Sequence, residues 1–358
     1  MKTISLKLLP GDGIGVEVVD ECKRVLKKIE QCHGGLSFLT HELDWGCGYY
    51  LNHGSMMPAD GMNILADCDA ILLGAIGFPG VPDHVSLQGL LLPIRQGFDQ
   101  YINIRPIKML QGLESPLKVS VCQDIDFVVI RENSEGEYCG RGSVMNAGTP
   151  EETVIQEACF TRKGTARVIL YAFDYAVKHG RRSVVSATKS NALNYSMVFW
   201  DRVFGEICAS YPQIESRSIH VDALAGFFIL KPTMFDVVVA SNLFGDILTD
   251  LGSAMLGSIG ISPSANINPE KRFPSMFEPI HGSAPDIAGK GIANPLGTLW
   301  SIVMMFEHLN LADMAGLLMN AITSVVAERR VKTPDMGGTS MTSEVVDEIC
   351  ARLDMASA

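Results

Sequence analysis

The sequence has no long apolar run and a deficit of positive charge, and each absence excludes a class of protein. Its longest apolar stretches, such as 301–306, are far shorter than the ~20 residues that span a bilayer, and the opening MKTISLKLLPGDG has no long hydrophobic segment. Acidic residues outnumber lysine and arginine by 40 to 29, for a net charge of −11. Such a chain gains nothing from general attraction to nucleic acid or anionic membranes. We therefore expect a cytoplasmic protein with neither kind of partner.

Paired cysteine motifs are also absent. The nine cysteines are scattered and none forms C-x-x-C, which in a chain of 358 residues is typical of free thiols in a reducing compartment. A disulfide framework and a zinc site are the alternatives. Aromatic residues are scarce at 7%, whereas hydrophobic residues reach 47% and glycine occurs 34 times. This composition favours a soluble α/β protein over a disordered or fibrous one.

Apolar runs of strand character alternate with helical patterns along most of the chain, which predicts an α/β fold with a largely parallel sheet. The length suggests two domains or one large α/β unit, and composition marks no boundary between domains. The predicted strands are 5–9, 36–42, 70–74, 127–131, 183–187 and 237–240. The predicted helices are 16–30, 87–98, 164–178, 196–210, 243–256, 296–307, 312–328 and 342–353.

A glycine-rich turn, Pro10-Gly11-Asp12-Gly13-Ile14-Gly15, follows the first predicted strand and opens the first helix. A dinucleotide fingerprint requires the spacing G-x-G-x-x-G, whereas this turn has G-x-G-x-G. A tight strand-to-helix turn near a ligand explains the glycines without a Rossmann domain.

Two aspartates, Asp246 and Asp250, lie four residues apart in a segment that is predicted to be helical. Side chains at this spacing share one helix face, where like charges repel unless a cation offsets them. A hard divalent cation does so well, and the pair follows strand 237–240, whose carboxyl end is where open α/β sheets bind ligands. We therefore predict a metal site, with Asp222, after another short strand, as a third ligand. The alternative is a pair of solvated carboxylates on a surface helix.

Three arginines, Arg95, Arg105 and Arg131, each follow an apolar element that places them near a buried edge. A guanidinium binds a carboxylate through two parallel hydrogen bonds. In an acidic chain, three arginines in the same setting predict an anion site, although each one alone could form an ordinary surface ion pair.

Two further side chains are candidates for proton transfer. Tyr138 could act as a general acid, and Lys189, at the end of a predicted strand, as a base or relay, because burial or a nearby cation lowers a lysine pKa. A packed tyrosine and an exposed lysine are the alternatives.

The segment 278–295 is rich in turn residues, and a short helix is expected to start at Ser283. Such a loop can wrap an adenosine phosphate, and a carboxylate at Asp286 would accept ribose hydroxyls and repel a 2′-phosphate. A purely structural loop is the alternative.

Five segments, in order along nearly the whole chain, carry a resemblance to a known family. The chain resembles the β-decarboxylating dehydrogenases, which comprise the isopropylmalate, isocitrate, homoisocitrate and tartrate/D-malate dehydrogenases. Segments 83–87, 101–103 and 263–266 are most similar to the tartrate/D-malate branch. The five segments are GDGIG at 11–15, IRENSEGEY at 130–138, ATKSN at 187–191, NLFGDILTDLG at 242–252 and EPIHGSAPDIAGKGIANP at 278–295.

The resemblance implies an isopropylmalate dehydrogenase-like fold of two domains with a mixed, largely parallel sheet that is not a true Rossmann fold. Residues 1–99 and 256–358 would form a cofactor-binding domain from both termini. Residues 100–255 would form a second domain that carries the substrate and metal sites and dimerises. In the family, both subunits of a homodimer complete each active site, so Lys189 and Asp222 would act with Asp246 and Asp250 of the other chain.

The resemblance also implies cofactors and roles. NAD, Mg2+ or Mn2+, and a K+ ion as a further candidate, would serve the reaction. Lys189, directly or through water or Asp222, would accept the hydroxyl proton during hydride transfer, and Tyr138 would supply a proton after CO2 leaves. Arg95, Arg105 and Arg131 would bind the substrate carboxylates. The implied NAD-binding residues are Ile14, Ala75, His281, Gly282, Ser283, Ala284, Asp286 and Asn294.

The identity of the substrate depends on segment 88–92, which is expected to face the substituent on C3. Leu90, Leu91 and Leu92 argue against a third carboxylate, and hence against isocitrate. A leucine wall would suit an isopropyl group or close over a smaller substrate, and Gln88 stands where the tartrate/D-malate branch usually has Trp. D-malate and tartrate are therefore the expected substrates, 3-isopropylmalate is the alternative, and a non-catalytic regulatory subunit is a remote one.

Overall fold

The computed structural model describes residues 2–357, which form twelve strands and thirteen α-helices. The strands are β1 (Lys2–Gly11), β2 (Leu36–Glu42), β3 (Ala70–Ala75), β4 (Ile102–Lys108), β5 (Asp126–Glu132), β6 (Gly142–Met145), β7 (Thr153–Gln156), β8 (Ser183–Thr188), β9 (Glu215–His220), β10 (Val237–Ala240), β11 (Pro263–Ile267) and β12 (Ser275–Pro279). The helices are α1 (Ile14–Cys32), α2 (Cys47–His53), α3 (Gly61–Ala66), α4 (Asp83–Ser86), α5 (Leu92–Gly97), α6 (Val119–Cys122), α7 (Arg162–Lys178), α8 (Ser196–Cys208), α9 (Val221–Leu230), α10 (Asn242–Met255), α11 (Leu296–His308), α12 (Ala312–Glu328) and α13 (Thr342–Ser357).

Ten strands form one mixed sheet in the order β2-β1-β3-β12-β11-β4-β5-β10-β8-β9. The pairs at both ends of this order are parallel, and the three central pairs β12–β11, β11–β4 and β4–β5 are antiparallel. Strands from 1–99 and 256–358 fill one half of the sheet, and strands from 100–255 fill the other. The predicted division into two domains coincides with the β11–β4 junction, and it stays a prediction because the sheet is continuous there.

Helices cover interior strands such as β3 and β10 on both faces, and these strands are strongly apolar. Every residue of β3 and of β10 is buried, which is typical of parallel strands packed between helices. Helix α1 buries Val18, Cys22 and Val25, which recur three to four residues apart and form one apolar stripe against the sheet.

The predicted α-helix over 87–98 is wrong in its first five residues. A π-helical turn over Leu87–Leu91 separates α4 from α5. Such turns are rare and are frequently found at functional sites. The wider turn changes which side chains face the core, and Leu90 is completely buried.

The nine cysteines are free thiols, three of them buried and six partly buried. This confirms the prediction from their spacing. Across residues 2–357, no helix combines the length and the apolar character that a membrane span requires.

Close backbone packing explains the glycines of the first turn. Gly15 lies against Gly74 of β3, where a Cβ atom on Gly74 would come within 2.4 Å of the Pro10 carbonyl oxygen and 2.6 Å of the Gly15 oxygen. Gly13 has φ +57, and a Cβ there would lie 2.0 Å from the Ser283 carbonyl oxygen. The turn is therefore tight because strand, helix and a distant loop meet at it.

Replacing Gly74 with alanine should destabilise the protein by about 1–3 kcal/mol, because the new methyl group meets rigid backbone that cannot move aside. Chemical denaturation measures this change. The control is Gly205→Ala in α8, where nothing lies within 4 Å of the added Cβ and helix propensity favours alanine. Equal stability of the two variants would contradict the packing described here.

Candidate active site

One edge of the sheet collects several of the predicted catalytic and metal residues. Strands β5, β10, β8 and β9 are parallel neighbours, so their carboxyl ends share that edge. Arg131 lies near the end of β5 and α10 begins just after β10. Lys189 follows β8, and Asp222 is the second residue of α9, directly after β9. This is the edge at which open α/β sheets place ligands.

Asp246 is the centre of a cluster of charged and polar side chains. Its Oδ1 accepts a 3.2 Å hydrogen bond from Arg105 and a shorter one from Arg131. Its Oδ2 accepts a 2.8 Å hydrogen bond from the Tyr138 hydroxyl. Arg131 also lies over the Tyr138 ring, 5.6 Å from the ring centroid. The structure thus joins four of the predicted site residues directly.

Two residues that the sequence analysis did not single out hold these arginines in place. The Oδ1 of Asn242 accepts from Arg131 Nε at 3.1 Å and from Nη2 at 2.7 Å. The Oγ1 of Thr249 accepts from Arg105 at 2.6 Å. Both residues lie on α10 with Asp246, and their positions on one helix face could have revealed them.

Burial and mutual charge set the ionisation of the cluster. Burial alone would raise the pKa of the Asp246 carboxyl, but Arg131 and Arg105 lower it to about 2. Burial, with Arg105 close by, lowers the pKa of Arg131 to about 10, which leaves it a cation at neutral pH. Burial and Asp246 raise the pKa of Tyr138, so its hydroxyl keeps its proton. The cluster therefore combines two cations, one carboxylate and one proton donor.

Asp250 lies one helical turn after Asp246, and no hydrogen bond or ion pair from the described part of the chain engages its carboxylate. Burial and the neighbouring Asp246 raise its pKa, although Arg105 opposes this. A divalent cation beside Asp250 would remove that cost, and paired carboxylates suit Mg2+ or Mn2+. Within residues 2–357, however, no group of three or more His, Cys, Asp or Glu side chains is arranged to hold a metal ion. The pair thus fits two ligands of such an ion, and a third must come from elsewhere.

Lys189 and Asp222 form a separate pair in this chain. Lys189 Nζ donates a 2.8 Å hydrogen bond to Asp222 Oδ1, which lowers the pKa of Asp222. Asp222 is 68% exposed, and in the described chain no hydrogen bond or ion pair links either residue to Asp246 or Asp250. One chain therefore does not bring all of the predicted catalytic and metal residues together.

Arg95 approaches the cluster from the other half of the sheet. It lies on α5 and contributes to the low pKa of Asp246. Its Nη2 donates a 2.7 Å hydrogen bond to Glu278 Oε1, and both side chains are buried. Glu278 is the first residue of segment 278–295, but its role was not predicted from the sequence. A carboxylate directly after the apolar pair Met276 and Phe277 is the signal that could have identified it.

A cleft of about 240 Å3 adjoins Tyr138. Leu92 and Gln88 line it together with the polar side chains of Glu137 and Arg141. Leu90 packs in the core, and Leu91 packs against that same part of the core. The expectation that three leucines face the substituent is therefore wrong for Leu90, and the cleft is more polar than a leucine wall.

The predicted cofactor residues meet at the first turn. Ile14 N donates to the Ser283 carbonyl oxygen at 2.8 Å, and Asp12 N donates to the Ala75 carbonyl oxygen at 2.8 Å. Ile14 and Ala284 also share one small apolar cluster. Gly282 and Ser283 border an open cleft of about 610 Å3. The turn and the loop thus form one surface.

The remainder of this loop departs from the expectation in one respect. No helix starts at Ser283, because residues 285–289 form turns. Asp286 is exposed with no hydrogen bond recorded to its carboxylate, and the buried Nε2 of His281 has no partner in the described chain. Asn294 donates to Asp335 at 2.9 Å and accepts from Leu296 N at the start of α11. The unpaired Asp286 carboxylate and His281 Nε2 are therefore groups that could hydrogen-bond to the hydroxyl groups of a nucleotide.

The chain is similar to known proteins in both its sequence and its fold. Residues 5–349 match the family described as isocitrate/isopropylmalate dehydrogenase. A probable tartrate dehydrogenase/decarboxylase of Bacillus subtilis (strain 168) is 52% identical over 354 residues, which is 99% of each chain. The D-malate dehydrogenase [decarboxylating] of Escherichia coli (strain K12) is 50% identical over 359 residues, or 98% of each chain.

A solved structure is similar over nearly the same extent. The crystal structure of isocitrate dehydrogenase from Methylococcus capsulatus has a TM-score of 0.88 at 31% sequence identity and covers 98% of this chain and 99% of its own. Together with the mixed ten-stranded sheet, this likeness confirms the predicted fold class. The chain therefore belongs to the isocitrate/isopropylmalate dehydrogenase family.

Proposed function

We propose that this chain catalyses NAD-dependent oxidative decarboxylation of a small 2-hydroxy dicarboxylate, with D-malate, tartrate or both as substrate. D-malate would give pyruvate and CO2. The observation that carries this proposal is the cluster in which Arg105, Arg131 and Tyr138 surround Asp246, with Asp250 one turn away. Relatives at 50–52% identity over almost the whole chain are named for these two reactions, which supports the choice of substrate.

The three arginines supply the positive charge that a dicarboxylate needs. Arg105 and Arg131 are buried to within a few per cent, so their attraction for an anion is little screened by water. Arg95 faces them from α5. Asp246 and Asp250 would hold Mg2+ or Mn2+ next to the substrate hydroxyl, and Asp222 of a second copy of the chain would complete the metal site.

Two side chains of the protein move protons in this proposal. Lys189 accepts the proton of the 2-hydroxyl, directly or through water or Asp222. Tyr138 holds its proton because burial and Asp246 raise its pKa, and it delivers that proton to C3 after CO2 leaves. A bound divalent cation would supply a Lewis acid for the substrate hydroxyl, and bound NAD+ would supply the hydride acceptor.

The surface formed by Ile14, Ala75 and the loop 281–294 would bind the cofactor. The exposed Asp286 carboxylate can accept hydrogen bonds from ribose hydroxyls and would repel a 2′-phosphate, which supports NAD over NADP. Mg2+ or Mn2+ as the metal, and K+ as an additional ion, remain part of the proposal.

A homodimer with shared active sites completes this account. Apolar side chains are exposed on the β6–β7 hairpin and on α9 and α10, all within the proposed dimerisation domain 100–255. Exposed apolar groups clustered in this way mark protein interfaces. Asp222 lies at the start of α9, and Lys189 binds it. A second copy packed on these surfaces would bring both residues toward Asp246 and Asp250. The exposed side chains are Val144, Met145, Val154, Ile155, Ile229, Leu230 and Ile247.

A substrate panel tests the proposed reaction. We expect NADH formation from D-malate or tartrate with a kcat/KM at least about tenfold above that for 3-isopropylmalate, because the polar cleft beside Tyr138 suits a small substituent. The assay uses saturating NAD+, Mn2+ and K+. A preference for 3-isopropylmalate would show that this alternative dicarboxylate, and not D-malate or tartrate, is the substrate. No turnover of any of the three would favour a regulatory subunit instead.

Hybrid dimers test the shared site. Lys189→Ala and Asp250→Asn should each be nearly inactive. Unfolding and refolding the two variants together in equal amounts should restore about a quarter of the wild-type activity, because half of the dimers would carry one intact site of two. Each variant refolded alone is the control. A mixture as inactive as its components would show that each chain builds its site alone.

A further inference from the structure

A chain of buried amide side chains crosses the centre of the sheet. Asn103 on β4 donates through Nδ2 to Ser264 Oγ at 2.8 Å and to Asn266 Oδ1 at 3.0 Å. Asn133, just past β5, donates to the same Asn266 oxygen at 2.9 Å. All four side chains have no exposed surface. These bonds join the two halves of the sheet at the β11–β4 junction.

The amide chain ends on a charged group of the proposed substrate site. Asn266 Nδ2 donates a 2.7 Å hydrogen bond to Glu278 Oε1. The same oxygen accepts the 2.7 Å hydrogen bond from Arg95 Nη2. One carboxylate oxygen is therefore shared between the amide and the guanidinium.

The arrangement is not needed to build a sheet. Buried polar groups cost free energy unless they are paired, and apolar residues would pack these central strands more simply. Asn103 and Asn266 lie in segments 101–103 and 263–266, which are most similar to the tartrate/D-malate branch. Neither segment contains a residue of the Asp246 cluster. A role linked to Arg95 accounts for their polar members.

We propose that Asn266 is a positioning residue that keeps Arg95 available for a substrate carboxylate, an inference that rests on the proposed function. An arginine beside a buried carboxylate tends to pair with both of its oxygens. The Asn266 amide occupies part of Oε1 and fixes the rotation of Glu278, so that Arg95 is held through one nitrogen. The remaining donors of the guanidinium, including a buried Nε without a partner in the described chain, stay free to bind an anion.

Asn266→Leu tests this inference, because leucine keeps the volume and removes the amide. The KM for the dicarboxylate should rise about tenfold, since Glu278 then captures Arg95, while the KM for NAD+ should stay within twofold. Asn266→Asp keeps the acceptor for Asn103 and Asn133 but replaces the donor with a buried carboxylate beside Glu278, which also competes for Arg95. It should raise the same KM and serves if the leucine variant does not fold. An unchanged substrate KM in both variants would overturn the inference.

Asn268→Leu is the matched control. Asn268 is equally buried and lies just beyond β11, but its side chain donates to the Asp99 carbonyl oxygen and accepts from the Arg272 backbone N–H. No hydrogen bond in the described chain joins it to Glu278. This variant should lose stability as Asn266→Leu does, with an unchanged substrate KM. An equal rise in substrate KM would show that any lost buried amide has this effect.

A double-mutant cycle separates positioning from general damage. In a Glu278→Gln background no carboxylate competes for Arg95, so Asn266→Leu should change the substrate KM by less than twofold. A tenfold rise in that background as well would contradict the inference.

A crystal structure of Asn266→Leu distinguishes failure of this inference from failure of the proposed function. We expect Arg95 to pair with Glu278 through two nitrogens. An Arg95 that keeps its single hydrogen bond would overturn the inference, whichever substrate the enzyme uses.

Discussion

The hydrogen bonds and ion pairs of the Asp246 carboxylate are the interaction on which the rest of this structure depends. Asp246 holds Arg105 of β4 in one place with Arg131 and Tyr138, which lie at and just beyond the end of β5. Without that carboxylate, two buried guanidiniums would repel each other with nothing between them. The parallel strands β5 and β10 bring these groups together by ending at the same edge.

Charge balance links the cluster to the proposed chemistry. In the structure, Asp246 and Glu278 partly neutralise the three arginines, and no hydrogen bond or ion pair within residues 2–357 engages the Asp250 carboxylate. A dicarboxylate alone, or a divalent cation alone, would disturb that balance in a poorly hydrated site. Both together add no net charge, because the two negative charges of the substrate cancel the two positive charges of the metal ion. We therefore expect each to strengthen the binding of the other.

The sequence predicted local structure well where apolar periodicity was strong, as in β2, β10 and α12, whose bounds agree at every residue. It missed β4, β11 and β12 entirely, because asparagine, arginine, serine and glutamate interrupt their apolar pattern. Those polar residues form the network around Asn266, which pairing across strands creates and which spacing along the chain cannot show. The π-helical turn was missed for a related reason, since its leucines fit an ordinary helix equally well.

The site residues could be named from the sequence because five motifs in a fixed order are specific to the family. Which of these side chains meet in space could not be predicted. Asp246 and Asp250 share a helix face by spacing alone, whereas the approach of Arg95 through Glu278 depends on the strand order. The separation of the Lys189–Asp222 pair from the Asp246 cluster likewise appears only in three dimensions.

In the proposed mechanism, Asp246 and Asp250 hold a divalent cation beside a bound dicarboxylate. Electron paramagnetic resonance of Mn2+ measures the free ion directly during a titration with and without D-malate. We expect D-malate to tighten Mn2+ binding in the wild type and Asp250→Asn to abolish the tight site. Mn2+ binding of equal strength in Asp250→Asn, with or without D-malate, would contradict this mechanism.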